Sequence, residues 1–124
     1  ANGEAKAVRF PWTYVSAGTP IYVSTLPSSE GPNDAVSYAS VSFLNWGSNP
    51  TTGLTVGDDA GNGWGFNGAA TYGDETAIMV ESPASATAGT VTVTISDSSS
   101  NSLGTFPFTF YSANAPRVDF FGPP

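Results

Sequence analysis

One segment near the start of the chain occurs again near its end, 96 residues later. Residues 10–17, Phe-Pro-Trp-Thr-Tyr-Val-Ser-Ala, align without a gap with residues 106–113, Phe-Pro-Phe-Thr-Phe-Tyr-Ser-Ala. The alignment continues to Pro27 over Pro123, and seven of the nineteen pairs from Phe10 to Ser28 are identical. A fixed period is the sequence signature of repeat architecture. We therefore expect one full repeat, between the tail of a preceding repeat and the head of a following one.

This period predicts three parts in the chain. Residues 1–19 form an arm that resembles the closing strand of a preceding repeat, and residues 20–113 form the folded domain. Residues 114–124 are the start of a following repeat, or a linker. No signal peptide is recognisable, so we expect a mature or excised segment.

Composition excludes several classes of function. The chain has no cysteine and no histidine, and three Lys and Arg residues stand against ten Asp and Glu. Without histidine, Ser-His-Asp triads and His-based zinc sites cannot form within one chain. Three cations are too few to bind nucleic acid or an anionic membrane surface, and no apolar run approaches the ~20 residues of a membrane span. We expect no enzyme activity, no nucleic-acid partner and no membrane insertion.

The same composition indicates where the protein acts. Few charges and many serine, threonine, glycine and aromatic residues are typical of an extracellular or cell-surface protein. The lack of cysteine favours a microbial surface, because animal ectodomains usually carry disulfides.

Apolar residues alternate with polar ones in several short segments, which is the period of a β-strand. Val91, Val93 and Ile95 alternate with threonines, for example. The predicted strands are 8–14, 21–26, 36–46, 54–56, 75–82, 90–96 and 105–111. The predicted core is Val41, Phe43, Ile78, Val80, Val91, Val93, Ile95, Phe106, Phe108 and Phe110. About seven short strands with turn residues between them predict an all-β, antiparallel β-sandwich.

Four segments, taken in order, resemble the IPT/TIG family. Residues 20–32 are an alternating strand that ends in Pro-Ser-Ser-Glu-Gly-Pro, and residues 41–49 are a strand followed by an Asn-Trp-Gly turn. Residues 76–84 end in Ser-Pro-Ala, and residues 89–95 with 106–110 resemble the final hairpin. The resemblance implies an immunoglobulin-like sandwich, used in extracellular arrays, in receptor ectodomains and beside carbohydrate-active enzymes. The chain departs from the family at Asn33-Asp34-Ala35, where two glycines are usual, and in the length of residues 57–73.

Residues 57–73 form the candidate site, which we predict to be a loop that binds a ligand or a partner. Carboxylate and amide oxygens are ligands that calcium takes, but their spacing does not match an EF-hand, so no metal is assigned and calcium stays an alternative. The aromatic rings could instead stack on a sugar, contact a protein, or plug the edge of the sandwich. The adjacent acids at 58–59 and 74–75 diverge in an extended chain, which disfavours a glycosidase pair. The candidate residues are Asp58, Asp59, Asn62, Trp64, Phe66 and Tyr72.

The first copy of the repeated strand has no sandwich of its own in this chain. We therefore expect Val8, Phe10, Trp12 and Tyr14 to make an interdomain contact, to lie on their own domain as an extra strand, or to exchange between molecules as a donor strand. The function we expect is a non-catalytic structural or adhesive repeat of a surface stalk or filament, with copies of itself or adjacent repeats as partners. The alternative is a carbohydrate-binding or accessory domain of a secreted enzyme, with a glycan as partner.

Overall fold

The computed structural model describes residues 18–112, which form eight β-strands and no helix. An all-β fold is thereby confirmed. The segments 1–17 and 113–124 lie outside the described residues, and with them the predicted strand 8–14 and its contact residues Val8, Phe10, Trp12 and Tyr14. The strands are β1 Ile21–Leu26, β2 Glu30–Pro32, β3 Tyr38–Leu44, β4 Thr55–Asp58, β5 Gly63–Tyr72, β6 Glu75–Glu81, β7 Gly89–Ser96 and β8 Ser102–Tyr111.

All eight strands belong to one curled sheet, a half-barrel with the strand order β1-β3-β6-β5-β4-β7-β8-β2. Every neighbouring pair is antiparallel except β2 and β8, which are parallel. The prediction of a wholly antiparallel arrangement is therefore wrong. Strand β2 lies within the Pro-Ser-Ser-Glu-Gly-Pro segment at residues 27–32, where no strand is predicted, and it pairs with only three residues of β8. A strand of three residues is too short to show an alternation of apolar and polar residues in the sequence.

The predicted loop at residues 57–73 is also wrong, because most of it is strand β5. Gly63 and Trp64 pair with β4, and the rest of β5 pairs with β6, with a register shift between Phe66 and Gly68. This strand changes its neighbour and shifts its register within ten residues. No single inward and outward alternation can therefore appear in its sequence.

The ten predicted core residues are all buried, which confirms the strand registers used to choose them. Phe106, Phe108 and Phe110 are each 1% exposed, and the Trp64 ring meets Phe108 edge-to-face with centroids 4.9 Å apart. Tyr22 of β1 stacks on Phe106 of β8 at 6.2 Å, so the curl brings distant strands of the sheet together. Six further apolar residues complete the core: Ala39, Trp46, Leu54, Val56, Trp64 and Leu103.

The chain enters the fold at one end and leaves it at the other. Ile21 pairs with Leu44 at the start of β1, and Thr19, Pro20 and Tyr22 line a depression together with the start of β8. Strand β2 follows β1 and runs parallel to the end of β8, where Pro32 pairs with Tyr111. We call the end that holds Gly18 and the turns 45–54, 73–74 and 97–101 the entry pole. The opposite end, which holds Tyr111 and the turns 33–37, 59–62 and 82–88, is the exit pole.

Candidate functional site

Asp58, at the end of β4, organises the turn that joins β4 to β5. Its Oδ1 accepts hydrogen bonds from the backbone N–H groups of Ala60 (3.0 Å) and Asn62 (2.9 Å). Its Oδ2 accepts from Asn62 Nδ2 (3.0 Å) and from the indole Nε1 of Trp64 (3.0 Å). Both carboxylate oxygens are therefore occupied by donors from the turn itself. The arrangement also satisfies the polar atom of the buried Trp64 ring.

The charge of Asp58 is stabilised by this set of donors. Partial burial acts to raise the pKa of the carboxyl group, but the hydrogen bonds from Trp64, Asn62 and Ala60 together outweigh it. The pKa of Asp58 consequently lies below its ordinary value of 3.8. A carboxylate held ionised in this way is a poor general acid, because it gives up its proton well below neutral pH.

The same turn occurs a second time, between β7 and β8. Asp97 Oδ1 accepts from the backbone N–H groups of Ser99 and Asn101, both at 2.9 Å, and Oδ2 accepts from Asn101 Nδ2 at 3.1 Å. Hydrogen bonds from the backbone and side chain of Asn101 lower the pKa of Asp97 as well. The signal in the sequence is Asp-x-x-x-Asn, present at 58–62 and at 97–101. The first copy contributes three of the predicted ligand or partner residues, Asp58, Asp59 and Asn62, and the structure shows it to be a turn motif.

The structure does not bring the six predicted site residues together. Asp58, Asn62 and Trp64 form the hydrogen-bonded turn, whereas Asp59 pairs with Thr92 of β7 through backbone and side chain. Phe66 packs partly against the core, and Tyr72 is 68% exposed at the opposite end of β5. Trp64 is 9% exposed, so its ring is part of the hydrophobic core and is not available to a ligand. The aromatic side chains form no common platform.

The described residues also provide little for a cation. Within residues 18–112 there is no group of three or more Asp and Glu side chains placed to hold a metal. Calcium usually takes six to eight oxygen ligands. At Asp58 it would have to displace N–H donors that already occupy both oxygens.

The two halves of the sheet have different outer surfaces. Strands β4, β7 and β8 present mainly threonine, and Thr90 and Thr109 hydrogen-bond across β7 and β8 at 2.8 Å. Strands β1, β3, β5 and β6 carry seven of the eight exposed large apolar side chains among the described residues. These seven are Ile21, Val23, Leu26, Tyr38, Leu44, Tyr72 and Met79. A shallow depression of about 330 Å³ lies among them, between Leu26, Tyr38 and Met79.

Both poles hold the chain where it enters and leaves the fold. At the entry pole, Asn49 Nδ2 donates to the carbonyl of Gly18 (2.5 Å) and Asn45 Nδ2 donates to that of Thr19 (2.8 Å). At the exit pole, the N–H of Asn33 donates to the carbonyl of Tyr111 (2.9 Å). Neither Asn45 nor Asn49 is among the predicted site residues, and their signal in the sequence is the Asn-x-x-x-Asn spacing around Gly47.

Comparisons with family models, with curated proteins and with solved structures found no match. Within residues 18–112, no helix is long and apolar enough to cross a membrane.

Proposed function

We propose that this chain is a repeat unit of an extracellular stalk or filament, with a structural or adhesive role and no catalytic one. We further propose that the curled sheet is an immunoglobulin-like sandwich of the IPT/TIG type, because four segments of the sequence resemble that family. In that interpretation β1, β3, β6 and β5 form one layer, and β4, β7, β8 and β2 form the other. The stacking of Tyr22 on Phe106 supports two layers that face each other.

The observation that carries the proposal is the agreement between the repeat period and the folded unit. The period is 96 residues, and strands β1 to β8 extend from Ile21 to Tyr111, which is almost one period. The second copy of the repeated segment is the core strand β8, whose three phenylalanines are buried. By equivalence, residues 10–15 would be the β8 strand of a preceding unit. Gly18 in turn corresponds to Asn114, two residues after Ser112.

The positions of the two poles support an extended array. Because the chain enters at one pole and leaves at the other, consecutive units would lie end to end. The ten residues of β8 span about 33 Å at the usual rise of a strand. Each repeat would therefore lengthen the stalk by roughly that distance.

A covalent array is better supported than exchange of a donor strand. Strand β8 pairs with β7 from Ser102 to Phe110, and both belong to one hairpin that Asp97 closes. The site that a donor strand would occupy is therefore filled by the unit's own strand.

The test is a chain in which residues 17–112 are duplicated in frame, so that one period is inserted. We expect both units to fold, with twice the unfolding enthalpy of one unit in calorimetry. Small-angle X-ray scattering should show a maximum dimension about 35 Å longer than that of the parent chain. A disordered second unit, or two folded units collapsed side by side, would contradict the proposal.

A further inference from the structure

The turn at residues 45–50, which we call the entry turn, holds the incoming chain by two asparagine side chains. Asn49 Nδ2 donates to the carbonyls of Gly18 (2.5 Å) and Trp46 (2.8 Å), and Asn45 Nδ2 donates to the carbonyl of Thr19 (2.8 Å). None of these bonds is part of the sheet. They fix the path of the chain before β1 begins at Ile21.

The entry turn is itself anchored in the core. Trp46 is 3% exposed and lies 5.4 Å from the Phe43 ring, centroid to centroid. Its indole Nε1 donates to the carbonyls of Asn49 (3.1 Å) and Pro50 (3.2 Å). A turn tied to a buried tryptophan has little freedom to move. Its asparagines consequently present their amides at a set position.

The entry turn also lies close against the incoming backbone. Gly47 has a φ of 65°, and a Cβ placed on it would lie 3.0 Å from the Cα of Gly18. Only glycine combines this left-handed conformation with so close an approach at no steric cost. The incoming chain therefore lies against the backbone of the turn as well as against its two amides.

We propose that the entry turn is the inter-repeat joint, on which the exit pole of a preceding copy is seated in a fixed orientation. This inference rests on the stalk function proposed above. Among residues 18–112, the last residue of a unit that the exit pole holds is Tyr111, and the first that the entry turn holds is Gly18, which corresponds to Asn114. Only Ser112 and Ala113 lie between the two. Three Cα–Cα steps span at most about 11 Å, so the two poles must be in contact.

No salt bridge between side chains can form within residues 18–112. Lys6, Arg9 and Arg117 are the chain's only cationic side chains, and all three lie outside residues 18–112. Both poles carry acidic residues, such as Asp34 at the exit pole and Asp74 at the entry pole. Neutral amide-to-carbonyl bonds hold the incoming chain here without any opposite charge.

The first experiment uses the full chain. In ¹⁵N relaxation measurements, we expect the heteronuclear NOE of the Thr19 amide to be as high as that of residues in β3. The double variant Asn45→Asp, Asn49→Asp keeps the side-chain volumes but removes both donors, so the NOE of Thr19 should fall to values typical of a mobile terminus. Asn67→Asp, an exposed change on β5, is the matched control and should leave Thr19 unchanged.

The second experiment uses the chain with residues 17–112 duplicated. Because the protein has no cysteine, Thr105→Cys in each unit places two spin labels on exposed positions. We expect one narrow distance distribution between the labels. It should become at least twice as broad when Asn45→Asp and Asn49→Asp are introduced into the downstream unit only, and it should stay narrow with Asn67→Asp. Circular dichroism would confirm that each variant is folded.

The outcomes separate the joint from the stalk. Two folded, extended units whose distance distribution is broad, or is not changed by the asparagine variants, would refute the joint and leave the stalk function standing. A duplicated unit that fails to fold would refute the stalk function itself. A Thr19 amide that is already mobile in the parent chain would refute the joint without reference to the duplicated chain.

Discussion

Replacing Gly104 by alanine should destabilise the protein, because the added Cβ would overlap the ring of Phe43. Gly104 lies on β8 at the same inward parity as Phe106, opposite Ile95 of β7. A Cβ at this position would overlap Cε1 of Phe43 and would lie 2.9 Å from its Cζ. Phe43 is fully buried, with Trp46 and Tyr22 at centroid distances of 5.4 and 6.1 Å. Any movement of the ring would therefore disturb these two aromatic contacts.

The magnitude follows from two opposing contributions. Inserting a methyl group into a filled core costs about 1–3 kcal/mol. The φ of Gly104 is not in the left-handed region, so alanine fits the backbone and stabilises by ~0.4–1 kcal/mol through the unfolded chain. We expect a net loss of roughly 1–2 kcal/mol in the free energy of unfolding. At this chain length that corresponds to a fall in Tm of roughly 5–15 °C.

Gly63→Ala is the matched control for Gly104→Ala. Gly63 is also a strand glycine with φ outside the left-handed region, but a Cβ there would have nothing within 4 Å. This variant should be as stable as the parent chain, or slightly more stable. Urea unfolding followed by tryptophan fluorescence measures both variants, because Trp46 and Trp64 are buried in the native state.

A double-mutant cycle tests the cause of the effect. Phe43→Leu removes the ring that Gly104→Ala would strike, so the alanine should cost less in the leucine background than in the parent chain. Equal stability of Gly104→Ala and the parent chain would show that β8 does not approach Phe43 as described. An equal cost of the alanine in both backgrounds would show that the overlap is not its cause.

Three further outcomes are expected. Phe108→Ala should lower the free energy of unfolding by about 3–5 kcal/mol in urea titrations, and a loss below ~0.5 kcal/mol would mean that its ring is not in the core. The pKa of Asp58 is lower in the folded state, so the carboxylate stabilises the fold fully above pH 3.8, and this stabilisation is lost as the pH falls through the lower folded-state pKa. Asp58→Asn should therefore make the Tm fall less steeply as the pH is lowered into the acid range. A Tm that depends on pH as in the parent chain would contradict this. Residues 18–112 contain acidic but no basic side chains, so sodium chloride should raise the Tm of the full chain by screening repulsion, and a Tm that falls with salt would argue against it.

The sequence alone was sufficient for the strands that alternate cleanly. In β7, Val91, Val93 and Ile95 alternate with threonine, and in β8 three phenylalanines alternate with polar residues or proline. A strand with one buried and one solvated face must alternate in this way, so its pattern shows which residues form the core.

Tertiary structure decided what no local pattern could show. Strand β5 exchanges one neighbour for another, so the sequence around Trp64 looked like an irregular loop although the ring is buried in the core. The sequence predicts Asp58 as a possible ligand residue. The hydrogen bonds that occupy both of its carboxylate oxygens are visible only in three dimensions.

The entry turn depends on a contact between residues far apart in the sequence. Asn49 and Gly18 are separated by 31 positions, and the antiparallel pairing of β1 with β3, in which Ile21 lies opposite Leu44, places the turn after β3 beside the chain that enters β1. Local alternation reports which face of a strand is buried, because burial acts on each side chain separately. Which strands become neighbours, and which turn holds the incoming chain, depends on how the whole sheet closes around its core, which no single segment of sequence specifies.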